Sequence, residues 1–282
     1  MEKVITATMV ADAVYRAIPG LATVLPDDIR EALIAARRVE THPRGQAVLD
    51  HLIENASIAA CDRVPLCQDT GAVWVCLEIG SGVTVSGEVF SGVDEGVARA
   101  YREARLRNSL VRNALFDRSN TGDNTPALCE IYPVQAPGLA RLSVMLKGGG
   151  SDNASRVVML HPGAGKQGII DEVLACVKAK AANACAPVVI GVGVGANFDK
   201  VAGLAKRALM RMIDEEAPDA QTAAFEAELL ALVNATGIGP GGLGGVTTAL
   251  AVKVNTAPCH IAALPLAINM GCSAMRRVRV EL

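Results

Sequence analysis

The spacing of apolar residues changes near residue 60, and this change constrains the possible folds more than any other feature of the chain. Before it, apolar residues recur every three or four positions, which predicts helices, the first ending at Pro19-Gly20. After it, the unbroken apolar run 72–79 predicts a buried strand. We therefore expect a helical segment over residues 1–60 and one continuous α/β core over residues 61–282.

Helical and strand-like segments follow one another irregularly within this core. Two strand-like runs, 128–134 and 142–147, are separated by an Ala-Pro-Gly turn, which predicts that they pair. A helix is predicted over 220–234, with Asp219 as its N-cap. Because a regular series of βαβ units would not show this order, we expect a mixed α/β (α+β) fold in which helices flank a mixed sheet.

Composition argues against several classes of partner. The chain has 27 basic and 29 acidic residues and a net charge of −2, so neither nucleic acid nor a membrane is an expected partner. No apolar run reaches transmembrane length without an interrupting Gly, Pro or charged residue. The first twelve residues lack the apolar region of a secretory signal, and the expected location is therefore the reducing cytoplasm.

Three of the eight cysteines, Cys67, Cys185 and Cys272, lie in turn contexts flanked by glycine or proline. Cys67 directly precedes Gln68-Asp69-Thr70-Gly71, which by itself is typical of a turn. A functional interpretation places an amide and a carboxylate beside a metal-bound thiolate, where they orient a substrate hydroxyl or relay a proton. Four other cysteines lie in apolar or helical contexts and are expected to be packing residues: Cys61, Cys76, Cys129 and Cys176.

Three glycine-rich runs allow different interpretations. The run 148–150 follows a strand and could bind an anion through backbone N–H groups, but no Gly-Lys-Ser/Thr follows it at the spacing of a P-loop. The run 191–195 matches only a degenerate form of the dinucleotide fingerprint, so a nucleotide-binding module is one alternative. The run 237–245 has too many glycines for an ordinary turn and predicts unusual backbone dihedrals or a close contact.

Taken together, these motifs resemble the α subunit of the class I, iron–sulfur fumarase and tartrate dehydratase hydro-lyases. The resemblance extends from about Pro65 to Arg277, with the motifs in the family's order. It departs mildly from the family at Ala184-Cys185-Ala186-Pro187, where Cys-Pro-Pro is usual. The segments that carry the resemblance are Cys67–Gly71, Asn120–Pro126, Lys147–Ser151, the run 237–245 and Thr247–Leu250.

The resemblance implies a cofactor and a set of site residues. Cys67, Cys185 and Cys272 would hold a [4Fe–4S] cluster that has no fourth protein ligand, so that its open iron acts as a Lewis acid. Asp69 and His260 would be catalytic, although a lone His in an apolar stretch is usually a core residue. Gln68, Arg107 and the backbone of Gly150 would bind a small dicarboxylate substrate, although Arg107 taken alone is typical of a solvated helix residue.

The same resemblance implies a reaction and a partner. Ser151-Asp152-Asn153 and Thr247–Leu250 favour the fumarase branch, so reversible hydration of fumarate to (S)-malate is expected, with L(+)-tartrate dehydration as the alternative. The family's further substrate-binding residues belong to a β region, which here would be a separate β subunit in an α2β2-type assembly. A non-catalytic scaffold is a further alternative, against which the three cysteines, Asp69 and His260 argue together.

Overall fold

The computed structural model describes residues 3–282, which form two compact units. Within the described residues, unit 1 comprises residues 3–26, 58–149 and 276–282, and unit 2 comprises Asp27–Ser57 and Gly150–Met275. Segments far apart in the sequence therefore share a unit. Within residues 3–282, no helix combines the length and the apolar character needed to cross a membrane.

Helices and strands are numbered in chain order. The α-helices of residues 3–282 are α1 (Ala7–Thr23), α2 (Asp27–Val39), α3 (Pro43–Asp62), α4 (Val93–Glu103), α5 (Gly149–Asn153), α6 (Gly165–Lys180), α7 (Phe198–Ala208) and α8 (Ala220–Asn234). The strands are β1 (Lys3–Thr6), β2 (Ala72–Ile79), β3 (Val83–Ser86), β4 (Leu128–Pro133), β5 (Ala140–Lys147), β6 (Arg156–Leu160), β7 (Val188–Ala196), β8 (Ala249–Cys259), β9 (Leu264–Gly271) and β10 (Arg276–Glu281).

The predicted mixed α/β class is confirmed, because each unit contains a four-stranded mixed sheet with helices packed on it. In unit 1 the strand order is β10-β5-β2-β4, and α1 and α4 cover one face of the sheet. In unit 2 the order is β6-β9-β7-β8, with α6 and α8 contributing to the core. The described part of the predicted helical segment 1–60 contains strand β1 as well as α1, α2 and most of α3. The division of the chain near residue 60 stays a prediction.

The predicted pairing of 128–134 with 142–147 is wrong. Strand β2 lies between β4 and β5, parallel to β4 and antiparallel to β5. The physical reason is burial: the middle of β2 is apolar on both faces and suits a central position, whereas β4 exposes Leu128 and Ile131 at the sheet edge.

The predicted end of the first helix at Pro19-Gly20 is also wrong, since α1 continues to Thr23. The apolar stripe of the helix extends beyond the proline to Leu21 and Ala22, and both are buried in the core of unit 1. Local hydrogen bonds support this last turn, because the Thr23 hydroxyl donates to the Pro19 carbonyl at 2.9 Å. Tertiary packing thus outweighs the cost of a proline inside a helix.

The glycines of the 191–195 run allow helix α7 to pack closely on β7. A Cβ at Gly191 would lie 2.2 Å from the Ala205 carbonyl oxygen, and one at Gly193 would lie 2.5 Å from that of Val201. Only glycine fits against a helix backbone at these distances. The run therefore has a packing role within unit 2.

Candidate functional site

Asp69 is the centre of a polar cluster in unit 1. Its Oδ1 accepts the backbone N–H of Gly71 at 3.0 Å, and its Oδ2 accepts that of Gly149 at 2.8 Å. The Ser109 hydroxyl donates to Oδ1 at 3.4 Å. The side chain remains 27% exposed, so this fixed carboxylate is accessible to a ligand.

Arg107 lies beside this carboxylate. Its Nη2 is 3.8 Å from Oδ1 of Asp69 and 3.5 Å from the Ser109 hydroxyl, and its side chain is 58% exposed. The hydroxyl of Thr70, which is buried, donates to the Arg107 carbonyl oxygen and so fixes the backbone at this position. The backbone of Arg107 is therefore fixed, and its guanidinium is exposed to solvent.

Tyr101 of helix α4 forms hydrogen bonds with the turn that follows Cys67. The Tyr101 hydroxyl lies 3.1 Å from the Thr70 carbonyl oxygen and 3.0 Å from that of Gly71. Burial raises the pKa of Tyr101 to about 12, so its hydroxyl stays protonated as a donor. Gly71 has φ +84°, and a Cβ there would lie 2.9 Å from the backbone of Leu146. Glycine is thus required at this turn.

The Asn120–Pro126 motif supports the Asp69 turn from another side. Asn124 is fully buried; its Nδ2 donates to the Gly71 carbonyl oxygen at 3.0 Å and its Oδ1 accepts the Ser109 N–H at 2.7 Å. Asp123 accepts the N–H of Thr125 at 3.0 Å, and this backbone bond lowers the pKa of the Asp123 carboxyl. The two polar motifs are therefore joined by direct hydrogen bonds.

Arg276 is a buried cation near Asp69 that sequence reasoning missed. It is 1% exposed, and its Nε and Nη1 have no hydrogen-bond partner among the described residues. A Cβ built at Gly148 would lie 3.6 Å from Nη2 of Arg276 and 3.4 Å from Oδ2 of Asp69, so both groups border this glycine. The sequence offers no local signal for this burial, since Arg276 opens a strand rich in arginine.

Cys67 and Gln68 lie next to each other at the start of this turn, and the Cys67 thiol is 3.7 Å from Oε1 of Gln68. Gln68 is exposed and Cys67 is half-buried. Both side chains are therefore accessible in unit 1, close in sequence to Asp69.

Cys185 and Cys272 belong to unit 2, where their segments adjoin. The Ser273 N–H donates to the Cys185 carbonyl oxygen at 3.1 Å. Cys185 ends a short 3₁₀ turn with φ 58° and ψ 66°, a left-handed conformation that is uncommon for a residue with a side chain. Gly150 adjoins the same turn, because a Cβ there would lie 3.5 Å from the Asn183 carbonyl oxygen.

The cysteines fall into two chemical groups. Cys129 and Cys176 are held in apolar surroundings, and burial raises the pKa of Cys129 to about 11 and also raises that of Cys176. The predicted ligands are instead solvent-accessible: Cys185 is exposed, and Cys67 and Cys272 are half-buried. Cys61 and Cys259 are exposed as well, so the packing role expected for Cys61 is wrong and exposure alone does not select the ligands. Accessible thiols of this kind fit an iron–sulfur cluster.

The structure does not display a complete metal site. Within residues 3–282, no group of three His, Cys, Asp or Glu side chains is placed to hold a metal ion. Of the predicted ligands, Cys67 belongs to unit 1, whereas Cys185 and Cys272 belong to unit 2.

His260 is exposed at the turn between β8 and β9 of unit 2. Its Nδ1 accepts the Ala262 N–H at 3.0 Å, which places the proton of the neutral ring on Nε2. A core role for this histidine, which is the commoner role of such a residue, is therefore excluded. The ring is instead oriented with one nitrogen available to a ligand.

Comparison with known proteins identifies the family. The model of the family described as fumarate hydratase (fumerase) matches residues 11–281. The chain belongs to this family of class I hydro-lyase α subunits. The match includes each of the motifs described above, so the resemblance expected from the motifs is confirmed.

Several similar proteins cover almost the whole chain. One, from Methanocaldococcus jannaschii, is named provisionally as an L(+)-tartrate dehydratase subunit alpha and is 36% identical over 97% of this chain and 98% of its own length. The L(+)-tartrate dehydratase subunit alpha of Escherichia coli K12 is 31% identical over 91% of this chain and 85% of its own. The Shigella sonnei protein of the same name has the same identity and coverage.

Proposed function

We propose that this chain is the α subunit of a hydro-lyase that removes water from L(+)-tartrate and carries a [4Fe–4S] cluster. Relatives named as tartrate dehydratase α subunits support this substrate over the fumarate expected from the sequence. The observation that carries the proposal is the Asp69 carboxylate, held by two backbone N–H groups beside Cys67, with the Arg107 guanidinium 3.8 Å away. A fixed acceptor beside an exposed cation suits a hydroxy-dicarboxylate.

Cys67, Cys185 and Cys272 are the proposed cluster ligands, because they combine accessible sulfur with the family's three motifs. When bound, a cluster with three cysteine ligands supplies one Lewis-acidic iron with an open coordination position. The buried Cys76 and Cys176 are unsuited to this role.

The exposure and the hydrogen bonds of the side chains support the remaining proposed roles. The Arg107 guanidinium would pair with one substrate carboxylate, and the exposed amide of Gln68 and the exposed backbone of Gly150 would bind other substrate oxygens. The Asp69 carboxylate would accept the hydrogen of a substrate hydroxyl and hold it in place. His260, with Nε2 available, would move a proton to or from the substrate.

Fumarate hydration is the second candidate, favoured by one specific observation. The matching family model is described as fumarate hydratase, and Ser151-Asp152-Asn153 resembles the fumarase branch. Ser151 is buried at this position. The two candidates differ only in the substrate, so they share the proposed site residues.

We also propose a separate β subunit as the partner, in an α2β2-type assembly. Relatives of this chain are named as alpha subunits, which supports a second kind of chain in the enzyme. The α chain alone is then expected to show little turnover. A cytoplasmic location, where thiols and an exposed cluster stay reduced, remains a prediction.

The substrate is tested with the α chain co-expressed with the candidate β subunit and reconstituted under anaerobic conditions. We expect a higher kcat/KM for L(+)-tartrate than for (S)-malate. The opposite ratio would establish the fumarase alternative. Activity towards neither substrate, with a full cluster, would contradict both.

The cluster is tested separately, by iron and acid-labile sulfide per chain in Cys67→Ser, Cys185→Ser and Cys272→Ser. We expect about four irons in the wild type and loss of the cluster in each variant. Cys176→Ser is the matched control, because this thiol is buried in apolar surroundings, and it should retain the iron. Retention in all three variants would contradict the ligand set.

A further inference from the structure

Glu40 is a buried carboxylate of unit 2 whose hydrogen-bond partners, among the described residues, are all backbone N–H groups. It is 2% exposed. Its Oε1 accepts the N–H of Thr41 at 3.0 Å and that of His42 at 2.9 Å. The N–H of Val246 lies 3.0 Å from Oε2, and that of Thr247 lies 3.4 Å from it. One side chain thus joins the start of α3 to a segment about 200 residues later.

Two glycines make room for this carboxylate. A Cβ at Gly45 would lie 2.8 Å from Cδ of Glu40, and a Cβ at Gly245 would lie 2.6 Å from Oε2. Gly245 also has φ +138°, which side-chain-bearing residues rarely adopt. The last part of the glycine-rich run 237–245 is therefore shaped around the Glu40 carboxylate.

The middle of the same run contacts the turn that contains Cys185. The Gly241 N–H donates to the Ala186 carbonyl oxygen at 2.8 Å. A Cβ at Gly242 would lie 2.6 Å from Cβ of Ala182, so the loop and the turn are in close contact there. The glycine-rich run therefore contacts the chain on both sides of Cys185.

Cys185 needs such support, because its left-handed backbone at φ 58° costs energy for a residue with a Cβ. We propose that Glu40 is a positioning residue for Cys185: it fixes the glycine-rich run 237–245, which holds the Cys185 turn in the conformation that presents the thiol. This inference rests on the proposed function, in which Cys185 is a cluster ligand. The hydrogen bonds of Glu40 reach only backbone N–H groups, so it acts on Cys185 through the loop.

The first test measures alkylation of each cysteine in the apoprotein by mass spectrometry. Glu40→Gln removes the negative charge. It also leaves one acceptor oxygen for the backbone N–H groups that, in the wild type, are bound by two carboxylate oxygens. Because the loop loosens, we expect the Cys185 thiol to react at least about threefold faster than in the wild type. Cys67, in unit 1, should keep its rate, and the buried Cys176 should stay protected, which shows that unit 2 remains folded.

The second test measures transfer of iron from the reconstituted protein to a chelator. Glu40→Gln should lose iron at least about fivefold faster, since one ligand is held less firmly. Glu54→Gln is the matched control, because Glu54 is an exposed residue of α3, and it should behave as the wild type in both tests.

Gly242→Ala leaves the Glu40 side chain in place and disturbs the loop where it meets Ala182, because Gly242 has φ +70° and an added Cβ would lie 2.6 Å from Cβ of Ala182. If Glu40→Gln exposes Cys176, this variant tests the contact between the loop and the Cys185 turn instead. An unchanged Cys185 rate in whichever variant keeps Cys176 protected overturns the positioning role. The alkylation test needs no cluster. If the wild type binds no iron, the proposed function fails while the positioning of Cys185 is still decided by alkylation.

Discussion

The backbone N–H of Gly149 donates a 2.8 Å hydrogen bond to Oδ2 of Asp69, 80 positions earlier in the chain. Oδ1 of the same carboxylate accepts the Gly71 N–H at 3.0 Å, so its two oxygens are held by different segments. The plane of the carboxylate is therefore set by the fold of unit 1. A group positioned in this way needs no rearrangement when a substrate binds, which is a recognised source of catalytic rate.

Replacing Asp69 by Asn tests this positioned carboxylate. The amide has the same size but only one acceptor oxygen and no charge, so it cannot accept from both Gly71 and Gly149. We expect kcat of the assembled enzyme to fall by about 10²-fold, with unchanged iron content. Steady-state kinetics and iron analysis measure the two quantities.

Asp12→Asn is the control for this variant, because Asp12 is exposed on α1 and its 3.8 Å ion pair with Arg16 is a weak surface pair. It should retain wild-type kcat. Full kcat in D69N with a complete cluster would remove Asp69 from the catalytic machinery.

Arg107→Lys tests the proposed carboxylate-binding group. Lysine keeps the positive charge but cannot form the two parallel hydrogen bonds of a guanidinium. We expect KM for the dicarboxylate to rise about tenfold, with a smaller change in kcat. Arg102→Lys, on the exposed face of α4, changes the same residue type outside the cluster and should leave KM unaltered. Equal KM values in both variants and the wild type would contradict substrate binding by Arg107.

Local signals were sufficient to predict some elements of the fold. Helix α8 has the predicted bounds, and Asp219 caps it by accepting the Thr222 N–H at 2.9 Å. Strand order is a property of the whole sheet, so the Ala-Pro-Gly turn gave the wrong pairing for β4 and β5. Burial of Arg276 in β10 depends on neighbours from distant segments and leaves no pattern in the sequence.

In the candidate site, too, local motifs could be predicted from the sequence, whereas contacts between distant segments could not. The motif around Asp69 was predicted as functional, but its support by Asn124 and Gly149 could not be, because these hydrogen bonds join separate segments. The 237–245 run was expected to have unusual dihedrals, and several of its glycines do have positive φ. Its partner Glu40 lies about 200 residues earlier, beyond the reach of any local rule.

Tyr101 predicts a pH dependence of stability at the alkaline end. Burial raises its pKa from 10.0 to about 12, so the folded chain holds this proton more tightly than the unfolded chain does. The stabilisation is complete below about pH 10 and is lost as the pH rises through about 12. Urea unfolding of the wild type should therefore give a free energy that falls over this range.

Tyr101→Phe removes this titrating group, so its free energy of unfolding should fall less between pH 10 and 12. It should also be about 1 kcal/mol less stable at neutral pH, because the hydrogen bonds to the Thr70 and Gly71 carbonyls are lost. Tyr132→Phe, on β4, is the matched control and should keep the wild-type slope. Parallel slopes for the wild type and Y101F would show that another group controls the alkaline limb.

Gly191→Ala tests the packing role of the 191–195 run. The new methyl group would lie 2.2 Å from the Ala205 carbonyl oxygen, so helix α7 has to move away from β7. We expect the free energy of unfolding to fall by about 2 kcal/mol or more, measured by urea unfolding. Gly20→Ala, in α1, is the matched control, because no atom lies within 4 Å of its added Cβ, and it should be neutral or slightly stabilising.

The same variant separates packing from the nucleotide-binding alternative. If the run served a dinucleotide, the wild type would bind NAD(H) and Gly191→Ala would weaken that binding with little effect on folding. Because α7 packs directly on Gly191 and Gly193, we expect the reverse, with no NAD(H) binding by the wild type in a titration and a clear loss of stability in the variant. A stable G191A protein would show that the α7–β7 contact is looser than these distances require.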